Sequence, residues 1–318
     1  MGDRLTLSPR AYARVAIAAL ALLVLIVFSG AGVRLTGSGL GCPDWPSCGG
    51  TFLPELETHV WIEYGNRLLS AVVGGACVLA GLLVFRRRPF RADLVRPALV
   101  LLFGVIAQGL LGAATVLLEL HWPVVIAHYL LSMVLLLAGA LLVWRARRPP
   151  GPRPSEDRAV TLATRALVAF GGVVIVAGTL ATAAGPHAGG AGTGDVVDRL
   201  DAFGAMTLRT LIHVHGHMAT ALGLAAVLLW VVARGRGVRG PLMSALTGVC
   251  LLIAAQGIVG LVQYHSALPA EWVWVHASLP AVLWVVLVWS WCAAGRLVAA
   301  PPEPPGRAPA PAERVPVA

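Results

Sequence analysis

Three histidines stand inside long apolar runs: His128, His215 and His276. Neutral imidazole is a good iron ligand, and b-type haems in membranes are held by two helices that offer imidazoles at matching depth. A single histidine in an apolar helix reads more simply as a hydrogen-bonded structural residue. Spacing argues for more here. Gln108 precedes His128 by 20 residues, and Gln256 precedes His276 by 20. Asn66 precedes His128 by 62, and His215 precedes His276 by 61. His215 and His276 are therefore the candidate ligands of one iron, with His128 as the counterpart in the other half of the chain. His217 is the reserve for His215, because it leaves 59 residues to His276 and matches the first half less well.

A second group with chemistry lies in Trp61–Gly74, WIEYGNRLLSAVVG, which opens an apolar run reaching Phe85. Glu63 and Asn66 are three apart and share a helical face. Ionisable groups at membrane depth are costly unless paired or functional. Glu63 then reads either as the i, i+4 partner of Arg67 or as a carboxylate held near a substrate for proton or radical chemistry. The second copy of this element carries Ile212 and Gly216 at those stations, so the first half is expected to react and the second to hold a cofactor. Cys42 and Cys48, in GCPDWPSCGG, are expected to form a disulfide in a loop on the oxidising side of the membrane. No second cysteine pair is present to make a metal site with them. His59, His121, His187 and His265 are expected in loops, most of them solvated, with His59 and His187 placed to reach a haem edge or its propionates.

These residues need a scaffold of membrane helices, and the composition provides one. The chain has 318 residues, 58% hydrophobic and 12% charged, which fits a polytopic membrane protein. Runs able to cross ~30 Å of hydrocarbon fall at about 13–33, 64–85, 97–117, 124–144, 162–183, 208–232, 241–262 and 271–295. All 24 basic residues are arginine, and 20 lie in the termini and three short loops, which makes that side cytoplasmic and excludes a nucleic-acid reading of the charge. AQGLLG at 107–112 returns as AQGIVG 148 residues later, and Gly30 and Gly37 return as Gly178 and Gly185. A duplication of four helices gives parallel repeats. The expected organisation is a first half over 1–148, a linker over 149–158, a second half over 159–297 and a disordered Pro/Ala-rich tail over 298–318. No nucleotide loop, HExxH or ordered Ser/His/Asp set is present, which excludes hydrolase and nucleotide chemistry.

VRLTGSGLGCPDWPSC, IEYGNRLLS, QGLLGAATVL and AHYLLS, with GPHAG, AQGIVG and LPAEWVWVHA in the second half, resemble the haem A synthase family over about residues 12–295. The resemblance implies an all-α protein of eight transmembrane helices in two four-helix bundles. It implies oxidation of the C8 methyl of haem O to the formyl of haem A, for terminal oxidases. Carried over by position, His215 and His276 hold haem b, His128 serves the haem O site, Glu63 is the essential glutamate, and Cys42 and Cys48 are the loop cysteines. Haem O synthase and oxidase assembly factors are the implied partners, besides the lipid bilayer, and the cell membrane is the implied location. One departure stands out: the family's ExxHR reads Glu63-Tyr64-Gly65-Asn66-Arg67 here, so Asn66 replaces a histidine. Asn is a poor iron ligand, which leaves His128 as the single protein ligand in the first half. The competing class is a b-type cytochrome relaying electrons between quinone and a partner, which would need no Glu63. A transporter with parallel repeats would explain the duplication but not the histidine spacing.

Overall fold

The protein is described from a computed structural model covering residues 6–51, 53–151, 154–155 and 157–297. The tail expected over 298–318, and residues 152, 153 and 156 of the linker, lie outside the described residues. Eight long helices carry the chain: α1 (Pro9–Leu35), α2 (Thr58–Leu83), α3 (Ala92–Leu117), α4 (Trp122–Ala146), α5 (Arg158–Ala183), α6 (Thr207–Gly235), α7 (Pro241–His265) and α8 (Ala270–Ala294). At about 1.5 Å per residue, even the 25-residue helices exceed the ~30 Å hydrocarbon layer. Among the described residues there are no strands, only isolated bridges. The fold is all-α, with eight helices long and apolar enough to cross a membrane.

Several helices begin before the apolar runs expected from sequence. α2 starts at Thr58 and α3 at Ala92, because backbone hydrogen bonding continues into the interfacial turns where polar residues are tolerated. Local chemistry marks the starts. Ser8 caps α1 by accepting from the Ala11 N–H at 3.2 Å, with Pro9 next to it. Asp157 caps α5 by accepting from the Val160 N–H at 2.9 Å.

Packing divides the helices into two rings. α1, α2, α3 and α4 each touch the next and close through α1 on α4; α5, α6, α7 and α8 do the same through α5 on α8. The rings join along α4–α8, α1–α8 and α4–α5. α8 serves both cores: Ala281, Val285 and Val288 pack into the first, while Leu283 and Leu287 pack into the second. Tryptophans lock the join, with the Trp284 indole donating to the Met133 carbonyl at 2.9 Å and Trp274 to the Phe28 carbonyl at 2.9 Å. The Tyr129 hydroxyl donates to the Ala277 carbonyl at 3.4 Å. The Arg34 guanidinium crosses from α1 to the carbonyls of Thr182 (3.0 Å) and His187 (2.8 Å).

The two long loops, 36–57 and 184–203, sit on one end of the helices and interlock. The Gly39 N–H donates to Gly189 O at 2.8 Å, and the Gly192 N–H to Gly37 O at 3.1 Å. Gly37 has φ +70°, and a Cβ there would stand 2.2 Å from the Gly192 nitrogen, so only glycine fits this crossing.

Candidate functional site

The clearest arrangement lies inside the second ring. α6 and α8 face each other diagonally, each touching α5 and α7, and His215 and His276 reach across the gap between them. Their ring centroids are 6.1 Å apart, with planes at 89°. With metal–imidazole bonds of roughly 2.0–2.1 Å, two rings binding one metal from opposite sides have centroids about 6 Å apart, so the pair fits a single iron. Glycines seat both rings: a Cβ on Gly178 would come within 3.0 Å of His215 Cε1, and one on Gly260 within 3.0 Å of His276 Cε1. One turn before those glycines, the backbones of Val174 and Gln256 face the two rings. Nδ1 of each ring is buried without a hydrogen bond of good geometry. A ligating histidine turns its second nitrogen towards such an acceptor.

The α8 helix runs on past His276 but lacks one backbone hydrogen bond there. Pro280 has no N–H to give the carbonyl of His276, four residues earlier. The Gln256 side chain supplies the missing donor, with Nε2 at 3.1 Å from that carbonyl. Gln108 has the matching place in the first half, donating to His128 O at 3.0 Å and Ser132 Oγ at 2.7 Å. Both glutamines were visible in the sequence as repeat markers, but their role follows only from the contact.

In the first ring, His128 on α4 lies across from α2, and Gly112 seats its ring with a would-be Cβ 3.3 Å from Cε1. Asn66, at the station of His215, has its Oδ1 buried without a partner. Gly30, at the station of Gly178, has nothing within 4 Å of a would-be Cβ.

Glu63 is buried, and its oxygens are taken up by the loop above and by Arg67 of its own helix. Oε2 accepts from the Cys42 N–H at 2.8 Å, and Oε1 accepts from Arg67 Nη2 at 2.6 Å and Nε at 3.1 Å. Arg67 also donates to the carbonyls of Cys42 (2.9 Å), Asp44 (2.7 Å) and Ser47 (2.8 Å). Cys42 and Cys48 form the expected disulfide. Asp44 closes the same loop, accepting from Ser47 Oγ at 2.5 Å and from the N–H groups of Gly49 (2.7 Å) and Gly50 (2.9 Å). The Ser47 hydroxyl foremost, with those backbone donors, holds the Asp44 carboxyl down at about 2. The i, i+4 pair read from sequence is thus the centre of a larger clamp.

The remaining histidines divide. His121 and His265 are exposed, as expected. His59 and His187 are not free in solvent: His59 Nδ1 is 2.9 Å from Ser38 Oγ, and His187 Nε2 is 2.8 Å from Leu268 O, where each ties a loop down. His213 and His217 are exposed on α6, and His213 meets the Tyr264 hydroxyl at 3.3 Å. Neither shares the His276 gap.

Comparison with known proteins adds the following. A family model described as cytochrome oxidase assembly protein, COX15-CtaA, matches residues 13–61 and 53–288. A protein of Shouchella clausii named heme A synthase is 27% identical over 281 residues, 83% of this chain and 91% of that protein. One of the same name from Symbiobacterium thermophilum is 40% identical over 109 residues, 34% of this chain and 36% of its own length. Another, from Geobacillus kaustophilus, is 34% identical over 137 residues, covering 40% and 41% of the two chains. The aligned part of this chain thus spans about two-fifths or less of the length of two of these relatives and nine-tenths of the third.

Proposed function

Since the chain belongs to the COX15-CtaA family of cytochrome oxidase assembly proteins, we propose that it is a haem A synthase, a haem-dependent membrane oxidoreductase that oxidises the C8 methyl of haem O to the formyl of haem A. The observation that carries this reading is the His215–His276 pair, set at single-iron distance within a chain that the family matches along most of its length. In this reading His215 and His276 hold haem b through Nε2, and the group supplies one-electron transfer. His128 would bind the substrate porphyrin in the first ring, with Gln108 fixing its backbone carbonyl. Glu63 carries the proton traffic that methyl oxidation requires, and Arg67 and the Cys42 N–H hold its two oxygens in place. The electron-relay cytochrome is the weaker alternative, because it has no use for a buried carboxylate clamped beneath a disulfide loop.

Two further features belong to the proposal. The halves over 1–148 and 159–297 are parallel repeats about an axis along the membrane normal. Contacts between residues 148 apart, Arg34 with Thr182 and Tyr129 with Ala277, support this, since such pairs meet only near the axis. The protein sits in the cell membrane with both termini cytoplasmic, on the arginine bias and the disulfide loop. Reporter fusions at residues 50 and 190 should report the outer side; a cytoplasmic signal at either would reverse this topology.

The test of function is a pigment extract from membranes that make haem O, with and without this protein. Conversion of haem O to haem A is expected, and Glu63→Gln should keep bound haem O while losing haem A. Unchanged haem O in the presence of correctly inserted protein would overturn the assignment.

A further inference from the structure

Glu63 belongs to the first half, but the segment that holds it is braced by the second. Its Oε2 accepts from the Cys42 N–H at 2.8 Å, and the Gly41 N–H also faces the carboxylate. Those two amides end a tight segment over residues 37–42. Ser38 is fully buried in it: its N–H donates to the Val33 carbonyl at 2.9 Å, and its carbonyl accepts from the Gly41 N–H at 3.1 Å. The Ser38 hydroxyl lies 2.9 Å from Nδ1 of His59, which stands one helical turn before Glu63 on α2. Gly41 runs so close to that turn that a Cβ on it would overlap the His59 carbonyl.

The second-half loop grips the same segment. The Gly39 N–H donates to the Gly189 carbonyl at 2.8 Å, and the Gly192 N–H donates to the Gly37 carbonyl at 3.1 Å. The His59 ring packs directly on Gly192, where a Cβ would overlap the ring and stand 2.7 Å from the Thr36 carbonyl oxygen. Gly192 therefore touches both the backbone that enters the segment and the imidazole that bonds Ser38.

We propose that the loop at Gly189–Gly192 positions Glu63 across the two halves, with His59 and Ser38 relaying the contact to the Cys42 N–H. This rests on the reading that Glu63 carries protons for methyl oxidation. His59 and Gly192 are positioning residues, acting on the carboxylate through the 37–42 segment. Close-packed contacts transmit displacement, because they leave no slack to absorb it. A group that must meet a proton at a set place loses rate steeply when moved, about a hundredfold for a misplacement of about 1 Å. The histidines assigned to the porphyrins stand on α4, α6 and α8, so haem binding should survive a shift of this segment.

The test uses membranes carrying the full-length protein. It measures the initial rate of haem A formation once haem O is supplied, per low-spin haem, and the haem O retained by the purified protein. Gly192→Ala and His59→Leu should each lower the rate by about a hundredfold with both haems retained, since the loss falls on turnover and not on binding. His59→Asn keeps a polar atom near the place of Nδ1 and should restore most of the rate. Val196→Ser, at an exposed place in the same loop, should change nothing. His59→Leu decides the matter should Gly192→Ala fail to insert. An unaltered rate in His59→Leu, with Glu63→Gln inactive, would overturn the positioning role alone. Loss of both haems together with the rate in His59→Leu would also overturn it, as the mark of a merely structural contact. His59→Asn as slow as His59→Leu would overturn the relay through Ser38. Full turnover in Glu63→Gln would overturn the reading beneath it, and the positioning role with it.

Discussion

Arg67→Leu is the perturbation that most directly tests how the loop is held. The guanidinium makes five contacts, two to Glu63 and one each to the carbonyls of Cys42, Asp44 and Ser47, and its side chain is 17% exposed. Leucine keeps helix propensity and apolar bulk, so α2 should persist. What is lost is every guanidinium donor, and Glu63 is left as a buried carboxylate with backbone donors of the loop alone, the Cys42 N–H foremost. Breaking a buried ion pair by removing one partner costs about 3–5 kcal/mol, and a tenfold change in an equilibrium corresponds to about 1.4 kcal/mol. If that cost falls on local opening of the loop, the open population rises by roughly two to three and a half orders of magnitude. The assay is the rate at which a mild, membrane-impermeant reductant opens the Cys42–Cys48 bond in sealed membranes, followed by thiol labelling. Arg67→Leu should accelerate reduction by about a hundredfold or more. The double variant Glu63→Gln/Arg67→Leu should recover part of the loss, because no buried charge remains unpaired. An unchanged reduction rate in Arg67→Leu would refute the clamp.

Three other outcomes are expected. His276→Ala should remove the low-spin haem absorption while the protein still inserts, and His217→Ala should keep it; the reverse for His217 and His215 would place the ligand two residues away. Gln256→Leu should lower stability by about 1–3 kcal/mol, by orphaning the His276 carbonyl that Pro280 cannot serve, and a melting temperature equal to that of the unaltered protein would contradict the role. Asp44 has its carboxyl lowered from 3.8 to about 2, so its contribution to the loop is fully present above pH 3.8 and is lost as pH falls towards 2. Loop reduction by a pH-insensitive phosphine should therefore be flat from neutral pH to about 5 and rise below about 4, whereas Asp44→Asn should remove that dependence.

Much of the scaffold was legible from the chain because membrane helices are encoded in long apolar runs and the repeat spacing ranks the histidines. The choice of His215 over His217 rested on a one-residue agreement between halves, and the 6.1 Å ring pair supports it. Other features were hidden for a physical reason. Arg67 reads as the helical partner of Glu63, but the carbonyls it binds lie 20 to 25 residues earlier in an irregular loop, with no periodicity to announce them. His59 and His187 read as loop residues placed to reach a haem edge, and their bonds to Ser38 and Leu268 went unread, since sequence cannot say which loops pack on each other. The Gln256–Pro280 compensation joins two helices, and the repeat that marks Gln256 does not tell what its side chain binds.

The contact between Tyr129 and Ala277 has a consequence for how such a molecule can be built. On the two-fold relation proposed for the halves, a place beside the axis meets its own counterpart, so a dimer of identical first halves would bring two tyrosine rings into a space that here holds one ring and the Ala277 carbonyl. Arg34 meets the same difficulty, because two guanidinium ions would approach where one now reaches the Thr182 carbonyl. One covalent chain escapes that self-encounter by placing a large or charged residue on one side and a small or neutral one on the other. Cut at the linker and produced as two polypeptides, the halves should therefore pair with each other and refuse to pair with themselves. A stable homodimer of the first half would show that the seam tolerates identity.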